Sequence, residues 1–254
     1  MSSVIPGQEG LGSAPMDAQS LESEVRRFGW YHTLDLGSGV VTPGMFDHRP
    51  AVDRYLLPAN LAGQRCLDVG TMDGFWAFEM ERRGAAEVVA IDEEDPEALD
   101  WPVAQRVKRE KILDKTKQAR FALASEALGS RVERIARSVY DLGTDLGEFD
   151  LVFSGDLLLH LKDPITAVER MRSVCRGSAI VCNPIKRFWL SGRRAMAELD
   201  GIDEFQWWVG NLRCLERLML AAGFARVEVG KPFAMPSTRG GSWKGTRGVV
   251  RAFV

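Results

Sequence analysis

The sequence predicts an α/β protein with a doubly wound, mainly parallel sheet of seven strands, preceded by an N-terminal helix and hairpin that form a cap. From residue 65 onward, short apolar runs alternate with segments of helical periodicity, which is the pattern of repeated strand–helix units. Two apolar runs near the C-terminus supply the last strands. The carboxyl ends of strands in such a sheet line the ligand crevice, so we expect the functional residues there.

The predicted elements follow one another in a regular order. Strands are expected at residues 65–69, 88–91, 132–139, 149–154, 178–183, 225–230 and 248–253. Helices are expected at residues 16–28, 52–57, 75–83, 165–174, 193–199 and 211–222, and over much of the long polar segment 96–128.

The chain before residue 61 differs in composition from the remainder. Residues 1–16 are rich in Gly, Ser and Pro, which predicts a disordered tail. Residues 17–60 are expected to form the cap, with a hairpin over 29–44 that turns at Gly37-Ser38-Gly39. Residues 61–254 then form one ligand-binding domain, with insertions on its substrate side at 184–210 and 231–247.

Composition limits the classes of function. A chain of 254 residues with 45% hydrophobic content suits one domain with elaborations, and its formal net charge of -2 does not favour a polyanionic partner such as RNA. The four cysteines lack metal-type spacing, which predicts reduced thiols and no metal site. We see no signal peptide and no apolar segment long enough to cross a bilayer, so we expect a soluble cytoplasmic protein.

The unit at residues 65–92 is the main indication of function. An apolar strand ends in a glycine-bearing turn, a helix follows, and a second apolar strand ends at Asp92. Gly70 and Gly74 would keep side chains away from a ligand, and the helix N-terminus would present free N–H groups. A carboxylate at the position of Asp92 suits ribose hydroxyls. The unit therefore predicts a nucleoside-binding site.

The acidic residue in the turn favours one class of nucleoside. A dinucleotide fingerprint reads G-x-G-x-x-G, whereas this turn reads Gly70-Thr71-Met72-Asp73-Gly74. Asp73 would repel a pyrophosphate but suits a cofactor with a sulfonium and an ammonium group. The run from Leu67 to Gly74 resembles the first motif of class I S-adenosylmethionine (SAM) methyltransferases, although many members have glycine in place of Met72. A Rossmann-like unit with another ligand is the alternative.

Polar residues follow four of the predicted strands, and they form the expected cofactor site. An acidic residue after a strand is often only a helix N-cap, but four in succession favour a ligand site. The resemblance implies that Asp141 bonds the adenine amino group. The expected cofactor-binding residues are Asp68, Gly70, Thr71, Asp73, Gly74, Asp92, Asp141 and Ser154.

A second resemblance concerns the segment 149–164, which reads FDLVFSGDLLLHLKDP. It is similar to the tRNA wobble-uridine methyltransferases of the 5-oxyacetic acid pathway and their relatives, and the likeness covers roughly residues 29–229. Those enzymes have a long N-terminal extension, for which this chain has too few residues. They also hold a carboxylated SAM through Lys, Tyr and Arg side chains, a trio that does not align here. Ordinary SAM is therefore expected.

Methyl transfer to a hydroxyl or amine requires a proton acceptor, and histidine is the usual one. His160 follows the fourth strand, and His32 lies in the cap hairpin, so both are catalytic candidates, although each also suits a structural role. Aromatic and basic side chains of the cap and the C-terminal part are candidates for holding an aromatic or anionic substrate. These substrate candidates are Trp30, Tyr31, Arg49, Trp208 and Arg239.

The segment 106–120 carries seven basic residues against two acidic ones. Such a run can track RNA phosphates, or it can be the solvated outer face of a helix, which we favour. The leading hypothesis is a SAM-dependent methyltransferase that transfers to an oxygen of a small molecule, in specialised metabolism. The alternatives are a tRNA wobble-uridine methyltransferase and a SAM-binding protein without methyl transfer. The oligomeric state stays open.

Overall fold

The computed structural model describes residues 16–108, 116–188, 193–202, 204–236 and 244–254. Its strands are β1 Arg65–Val69, β2 Glu87–Asp92, β3 Glu133–Ala136, β4 Phe149–Gly155, β5 Cys175–Pro184, β6 Ala197–Leu199, β7 Trp208–Gly210, β8 Arg226–Val229, β9 Phe233–Pro236 and β10 Lys244–Phe253. Its α-helices are α1 Ala18–Val25, α2 Phe75–Arg82, α3 Lys117–Leu128, α4 Pro164–Ser173 and α5 Leu212–Ala221.

The main sheet has the strand order β3-β2-β1-β4-β5-β10-β8, and β9 pairs with β10. Strands β1 to β5 are parallel, whereas β10 is antiparallel to β5, β8 and β9. The predicted doubly wound, mainly parallel fold is confirmed, with eight strands in place of seven because β9 was not anticipated. The order changes direction between β1 and β4, which makes their carboxyl ends the topological switch point.

Helices and the cap cover the two faces of the sheet. Because successive strand residues point to opposite faces, Cys66 contributes to one core cluster and Leu67 to the other. The first cluster packs against the cap, α1, α2 and α3, and the second packs against α4 and α5. Both α4 and α5 begin at side-chain caps: Asp163 accepts from Thr166 N at 3.0 Å, and Asn211 accepts from Cys214 N at 2.9 Å.

The cap forms as a helix and a hairpin. The hairpin turns through Gly37, Ser38 and Gly39, all with positive φ, and Thr42 N donates to Leu34 O at 2.9 Å. Its two arms meet through isolated bridges rather than continuous strands. Residues 49–55 form a 3-10 helix that ends at Leu56, where φ is 58°.

One predicted element is wrong. The helix expected at 193–199 is absent from the described part of that range, where Ala197–Leu199 forms β6 and pairs antiparallel with β7. This segment takes its backbone hydrogen-bond partners from β7, and the spacing of apolar residues within the segment carries no information about such a distant partner. The predicted strand at 132–139 ends at Ala136, because Ser138 caps a short 3-10 helix over Val139–Asp141.

Some predictions fall outside the described residues. These are the disordered tail, apart from Met16, and the middle of the basic run at 109–115. Arg239 also lies outside them, in the glycine-rich loop. Among the described helices, none combines the length and apolar character needed to cross a membrane. The cysteines are free; Cys66, Cys175 and Cys182 are buried, and Cys214 is partly so.

Candidate active site

The turn after β1 has three residues in the left-handed region. The φ angles are 80° at Gly70, 52° at Met72 and 95° at Gly74. Gly70 N donates to Ile91 O at 2.9 Å, and Gly74 N donates to Thr71 O at 2.8 Å, so the turn is held against β2 and closed on itself. A non-glycine residue with positive φ is uncommon, and Met72 stands at the position where many class I methyltransferases have glycine. The turn therefore adopts the left-handed conformation at residue 72 although methionine has a side chain.

The two glycines have different reasons for lacking a side chain. At Gly70 a Cβ would lie 3.3 Å from Leu157 Cδ1, so the turn and the segment after β4 approach closely. At Gly74 a Cβ would lie 2.8 Å from Phe121 Cδ2 and would also collide with Phe78. Gly74 thus permits α2 and α3 to pack together, a structural role in addition to the expected ligand approach.

Asp92 lies at the end of β2, beside the turn. One carboxylate oxygen, Oδ2, accepts from Met72 N at 2.7 Å, and Oδ1 accepts from Lys117 Nζ at 2.6 Å. Lys117 also donates to the backbone oxygen of Glu93. The carboxylate expected to bind ribose therefore stabilises the turn with one oxygen and is covered by a lysine at the other.

The carboxylate of Asp73 binds the cap. Its Oδ2 accepts from Tyr31 N at 2.8 Å and from His32 N at 3.0 Å, and its Oδ1 accepts from His32 Nδ1. Burial opposes ionisation, but the charge and hydrogen bonds of His32 outweigh it and keep the pKa of Asp73 below its ordinary value. Both carboxylate oxygens of Asp73 thus contact the cap, and the expected contact with a cationic cofactor stays a prediction.

His32 is a buried histidine whose Nδ1 is occupied by Asp73. Its ring lies 5.2 Å from the ring of His48 and 5.6 Å from that of Phe75. His48 bonds Tyr55 OH through Nδ1 at 2.7 Å, and burial, with the charges of His32 and Arg247, places the pKa of His48 well below its ordinary value. These contacts give His32 a role in joining the cap to the turn.

His160 has the opposite environment. It ends the 3-10 helix Leu158–His160 after β4, its side chain is exposed, and its Nδ1 donates to the backbone oxygen of Phe205. That bond leaves Nε2 as the unprotonated nitrogen of the neutral ring. A neutral His32 ring would likewise keep Nε2 unprotonated, because its Nδ1 faces the Asp73 carboxylate. The two catalytic candidates therefore differ in exposure: His160 is exposed, whereas His32 is buried.

The other expected cofactor residues lie at the strand tips as predicted. Asp68 and Thr71 are buried, and Asp68 Oδ2 and Thr71 Oγ1 have no hydrogen-bond partner within the described part of the chain. Burial raises the pKa of Asp68 to about 7. Ser154 Oγ donates to Val69 O at 3.3 Å, which joins β4 to β1. Asp141 is exposed and lies in the 3-10 helix after β3.

The substrate candidates are not brought together. Trp30 is a core residue, 1% exposed, whose Nε1 donates to Val25 O at 2.9 Å. Its expected role in substrate binding stays a prediction. Arg49 pairs with Asp47 at 2.8 Å on the surface. Tyr31 lies within the cap and is partly buried, whereas Trp208 lines a 270 Å³ cavity between α4 and α5.

Asp100 joins several segments of the chain by hydrogen bonds, a role that the sequence did not indicate. Its Oδ2 accepts from Tyr140 OH at 2.6 Å and from Lys162 N at 2.9 Å, and its backbone oxygen accepts from Trp207 Nε1 at 2.6 Å. These bonds join the segments that follow β2, β3 and β4 to the insertion after β5. Trp101 adds a ring contact with Phe205 at 4.6 Å.

Asp156 and Arg247 form a buried ion pair that the sequence did not indicate. Arg247 of β10 donates to Asp156 Oδ2 through Nε at 2.9 Å and Nη2 at 2.8 Å. Asp156 directly follows β4 and was noticeable as a polar residue at a strand tip. Its partner lies 91 residues further along the chain, and no local pattern links the two.

Two basic residues of the run, Lys117 and Arg120, make contacts within the molecule. Lys117 binds Asp92, and the buried Arg120 donates to the backbone oxygen of Gly29, joining α3 to the cap. Burial lowers the pKa of Arg120. These two basic side chains are thus engaged within the molecule and do not form an RNA-facing surface.

Comparisons with known proteins agree with this geometry. The sequence profile described as "Methyltransferase domain" matches residues 48–229. No curated protein matches the sequence. The N-terminal domain of EvdMO1 with SAH bound is similar in structure, with a TM-score of 0.66 at 16% identity over 96% of this chain and 99% of that one.

Two further solved structures share the fold. Magnesium protoporphyrin IX methyltransferase from Synechocystis PCC 6803 with bound SAM has a TM-score of 0.50 at 16% identity, covering 80% of this chain and 76% of that one. A SAM-dependent methyltransferase from Mesorhizobium loti has a TM-score of 0.51 at 15% identity, covering 82% and 97%. The profile match spans well over half of the sequence and includes the glycine turn and strands β1 to β8. The chain therefore belongs to the methyltransferase-domain family, and the methyltransferase fold expected from its sequence is confirmed.

Proposed function

We propose that this protein transfers the methyl group of SAM to an oxygen atom of a small molecule. The observation that carries the proposal is the turn from Gly70 to Gly74, with its three left-handed residues, set at the switch point beside Asp92. This is the position and form of the nucleoside-binding turn in doubly wound sheets. The family match supplies the reaction class.

The cofactor fits the residues at the strand tips. Asp92 would accept from the ribose hydroxyls, Gly70 and Thr71 would line the approach to the turn, and Asp141 would bond adenine. Among the described residues, neither Asp68 Oδ2 nor Thr71 Oγ1 has a hydrogen-bond partner. A ligand with donor groups would supply the missing hydrogen bonds. SAM supplies an electrophilic methyl group on a sulfonium. We assign Asp73 to cap attachment rather than to cofactor contact.

Ordinary SAM is supported over the carboxylated form. A carboxylated cofactor needs an arginine that is free to pair with the added carboxylate. The buried Arg247 is already paired with Asp156, so this pair carries no net positive charge. A second carboxylate beside it would be repelled by Asp156.

For this reaction the protein must orient the acceptor oxygen toward the methyl group and remove the proton of the acceptor hydroxyl. Holding the acceptor in line with the S–CH₃ bond contributes about 7–11 kcal/mol of barrier reduction, and a general base adds about 10²–10⁴-fold in rate. We propose His160 as the base, because its side chain is exposed, unlike that of His32, and the bond from Nδ1 to the Phe205 carbonyl leaves Nε2 able to take the hydroxyl proton. His32 would act indirectly, by keeping the cap closed.

A small-molecule acceptor is supported by the comparisons and by charge. The N-terminal domain of EvdMO1 was also crystallised in the presence of SAH and D-fucose, with a TM-score of 0.65 to this chain. The inward-facing Lys117 and Arg120 weaken the tRNA alternative, since they are unavailable for phosphates. A role in specialised metabolism remains an expectation. A SAM-binding protein without methyl transfer remains the alternative hypothesis.

The first experiment is mass spectrometry of protein purified without added ligand, followed by calorimetric titration with SAM, SAH and NAD. We expect SAM or SAH to bind with micromolar affinity, and Asp92→Ala to weaken binding severely. Asp35→Ala, which removes an exposed carboxylate of the cap hairpin, is the matched control. Binding of NAD alone, or unchanged affinity in Asp92→Ala, would overturn the cofactor assignment. Transfer of label from SAM to total tRNA but to no small molecule would favour the wobble-uridine alternative.

A further inference from the structure

The ion pair between Asp156 and Arg247 is buried at the carboxyl end of the sheet. The side chain of Arg247 is 1% exposed and that of Asp156 is 11% exposed. Arg247 uses two nitrogens, Nε and Nη2, and both donate to the same oxygen, Asp156 Oδ2. Each partner therefore keeps one polar atom outside the pair.

Those remaining atoms are buried and unsatisfied. Asp156 Oδ1 and Arg247 Nη1 have no hydrogen-bond partner among the described residues. Charged groups in a protein interior are normally fully hydrogen-bonded, because an unmet bond there costs more than in water. A half-satisfied pair is expected where a ligand completes it.

The backbone at Asp156 supports a functional role. Its φ is 52°, a conformation that costs energy for a residue with a side chain, and its N–H donates to Cys182 O at 2.8 Å, which holds it there. Burial raises the pKa of Asp156, although the charge of Arg247 opposes this shift. Keeping the carboxylate ionised in this position is therefore energetically unfavourable. Strain and buried charge coincide at one residue.

The pair lies between the cap and the turn that binds the cofactor. The ring of Phe46, in the cap, is centred 5.8 Å from Arg247 Cζ. Leu157, the residue after Asp156, lies against Gly70 in the turn. A molecule that contacts the pair would therefore lie next to the cofactor site, as a methyl acceptor must.

The charges of the pair cancel, which disfavours a ligand with a net charge: a carboxylate would face Asp156, and an ammonium would face Arg247. The free atoms are one acceptor and one donor. We propose that this pair binds a vicinal diol of the methyl-accepting substrate, with one hydroxyl donating to Asp156 Oδ1 and the neighbouring oxygen accepting from Arg247 Nη1. This inference rests on the proposed function and deepens it by naming the substrate class.

The test uses the full-length protein saturated with SAH and titrated calorimetrically with matched probes. The diols are catechol and cis-cyclohexane-1,2-diol, and their controls are phenol and cyclohexanol, with benzamide as a neutral group that also offers a donor and an acceptor. We expect each diol to bind at least about tenfold more tightly than its mono-ol and more tightly than benzamide. Equal affinity for diols and mono-ols, or preference for benzamide, would overturn the inference.

Two variants separate recognition from folding. The double variant Asp156→Leu/Arg247→Met removes both charges together, since an apolar pair of similar volume is commonly tolerated in place of a buried ion pair. Arg247→Lys keeps the charge but removes the Nη1 donor. Both are expected to bind SAH within about threefold of the wild type and to lose the preference for diols. A retained preference would show that the pair is structural, whereas failure of the wild-type protein to bind SAH would overturn the proposed function itself.

Discussion

Asp73, in the turn after β1, holds His32 of the cap through both of its carboxylate oxygens. Oδ2 accepts from the His32 backbone N–H at 3.0 Å, and Oδ1 accepts from the His32 ring at Nδ1. Both residues are buried. The turn expected to bind the cofactor and the cap expected to cover the substrate are thus joined by one pair of side chains, and a change in either is expected to affect the other.

Asp73→Asn should destabilise the protein. Asparagine keeps an acceptor for the backbone N–H groups of residues 31 and 32 but loses the negative charge that His32 contacts. Hydrogen bonds to charged groups contribute about 1.5–3 kcal/mol, so we expect a loss of that size in the free energy of unfolding. Denaturant unfolding measures it, with His32→Gln and the double variant completing a cycle. Additive effects of the two single changes would contradict direct coupling.

The same residue should contribute to acid sensitivity. The pKa of Asp73 in the folded protein lies below its ordinary value of 3.8. Its stabilising contribution is therefore full above that ordinary value and is lost as pH falls through the lower folded pKa. We expect wild-type stability to fall more steeply than that of Asp73→Asn below pH 3.8. Parallel curves in acid unfolding would refute this.

Asp68 should have the opposite effect on how stability depends on pH. Burial raises its pKa from 3.8 to about 7, so the folded state binds more protons than the unfolded state between those values, and stability falls as pH rises through that window. Asp68→Asn should abolish this decline and be more stable than the wild type at pH 8, by at most about 4 kcal/mol. Unfolding in urea at pH 4 and pH 8 measures the effect, with the exposed Asp35→Asn as the control. A variant less stable than wild type at pH 8 would contradict the assignment.

Met72→Gly should stabilise the turn. The left-handed conformation costs a residue with a side chain about 1–2 kcal/mol, and glycine avoids that cost at the expense of greater freedom in the unfolded chain. We expect a net gain of about 1 kcal/mol, seen as a higher midpoint in thermal unfolding. Met72→Val, with a branched side chain at the same φ of 52°, should lower the midpoint. The opposite order of the two variants would mean that the turn adopts another conformation.

Lys117→Met should tighten cofactor binding. Lys117 occupies Asp92 Oδ1 at 2.6 Å, so ribose hydroxyls must compete with it for that oxygen. Without the lysine we expect SAH to bind several-fold more tightly in calorimetry. Lys162→Met, which removes a lysine paired with Asp100, is the matched control and should leave affinity unchanged. Weaker binding in Lys117→Met would indicate that the lysine itself contacts the cofactor.

Local patterns in the sequence determined the central part of the fold. The strand–turn–helix–strand unit from Arg65 to Asp92, the hairpin at residues 37–39 and the helix capped by Asn211 were all predictable. Each depends on residues within a few positions of one another: alternating or helical apolar spacing, glycines in a turn, and a cap. The cofactor class followed from the same local run.

Only the tertiary structure decided where individual side chains point. Asp73 binds the cap because Tyr31 and His32 are brought to it from 42 and 41 residues away, a contact that the sequence did not indicate. Arg247 meets Asp156 across 91 residues. Segment 197–199 becomes a strand because β7 supplies its partners. Long-range pairing of strands brings such groups together, and hydrogen-bonding side chains take the partners that the folded chain provides, which no periodicity along the sequence encodes.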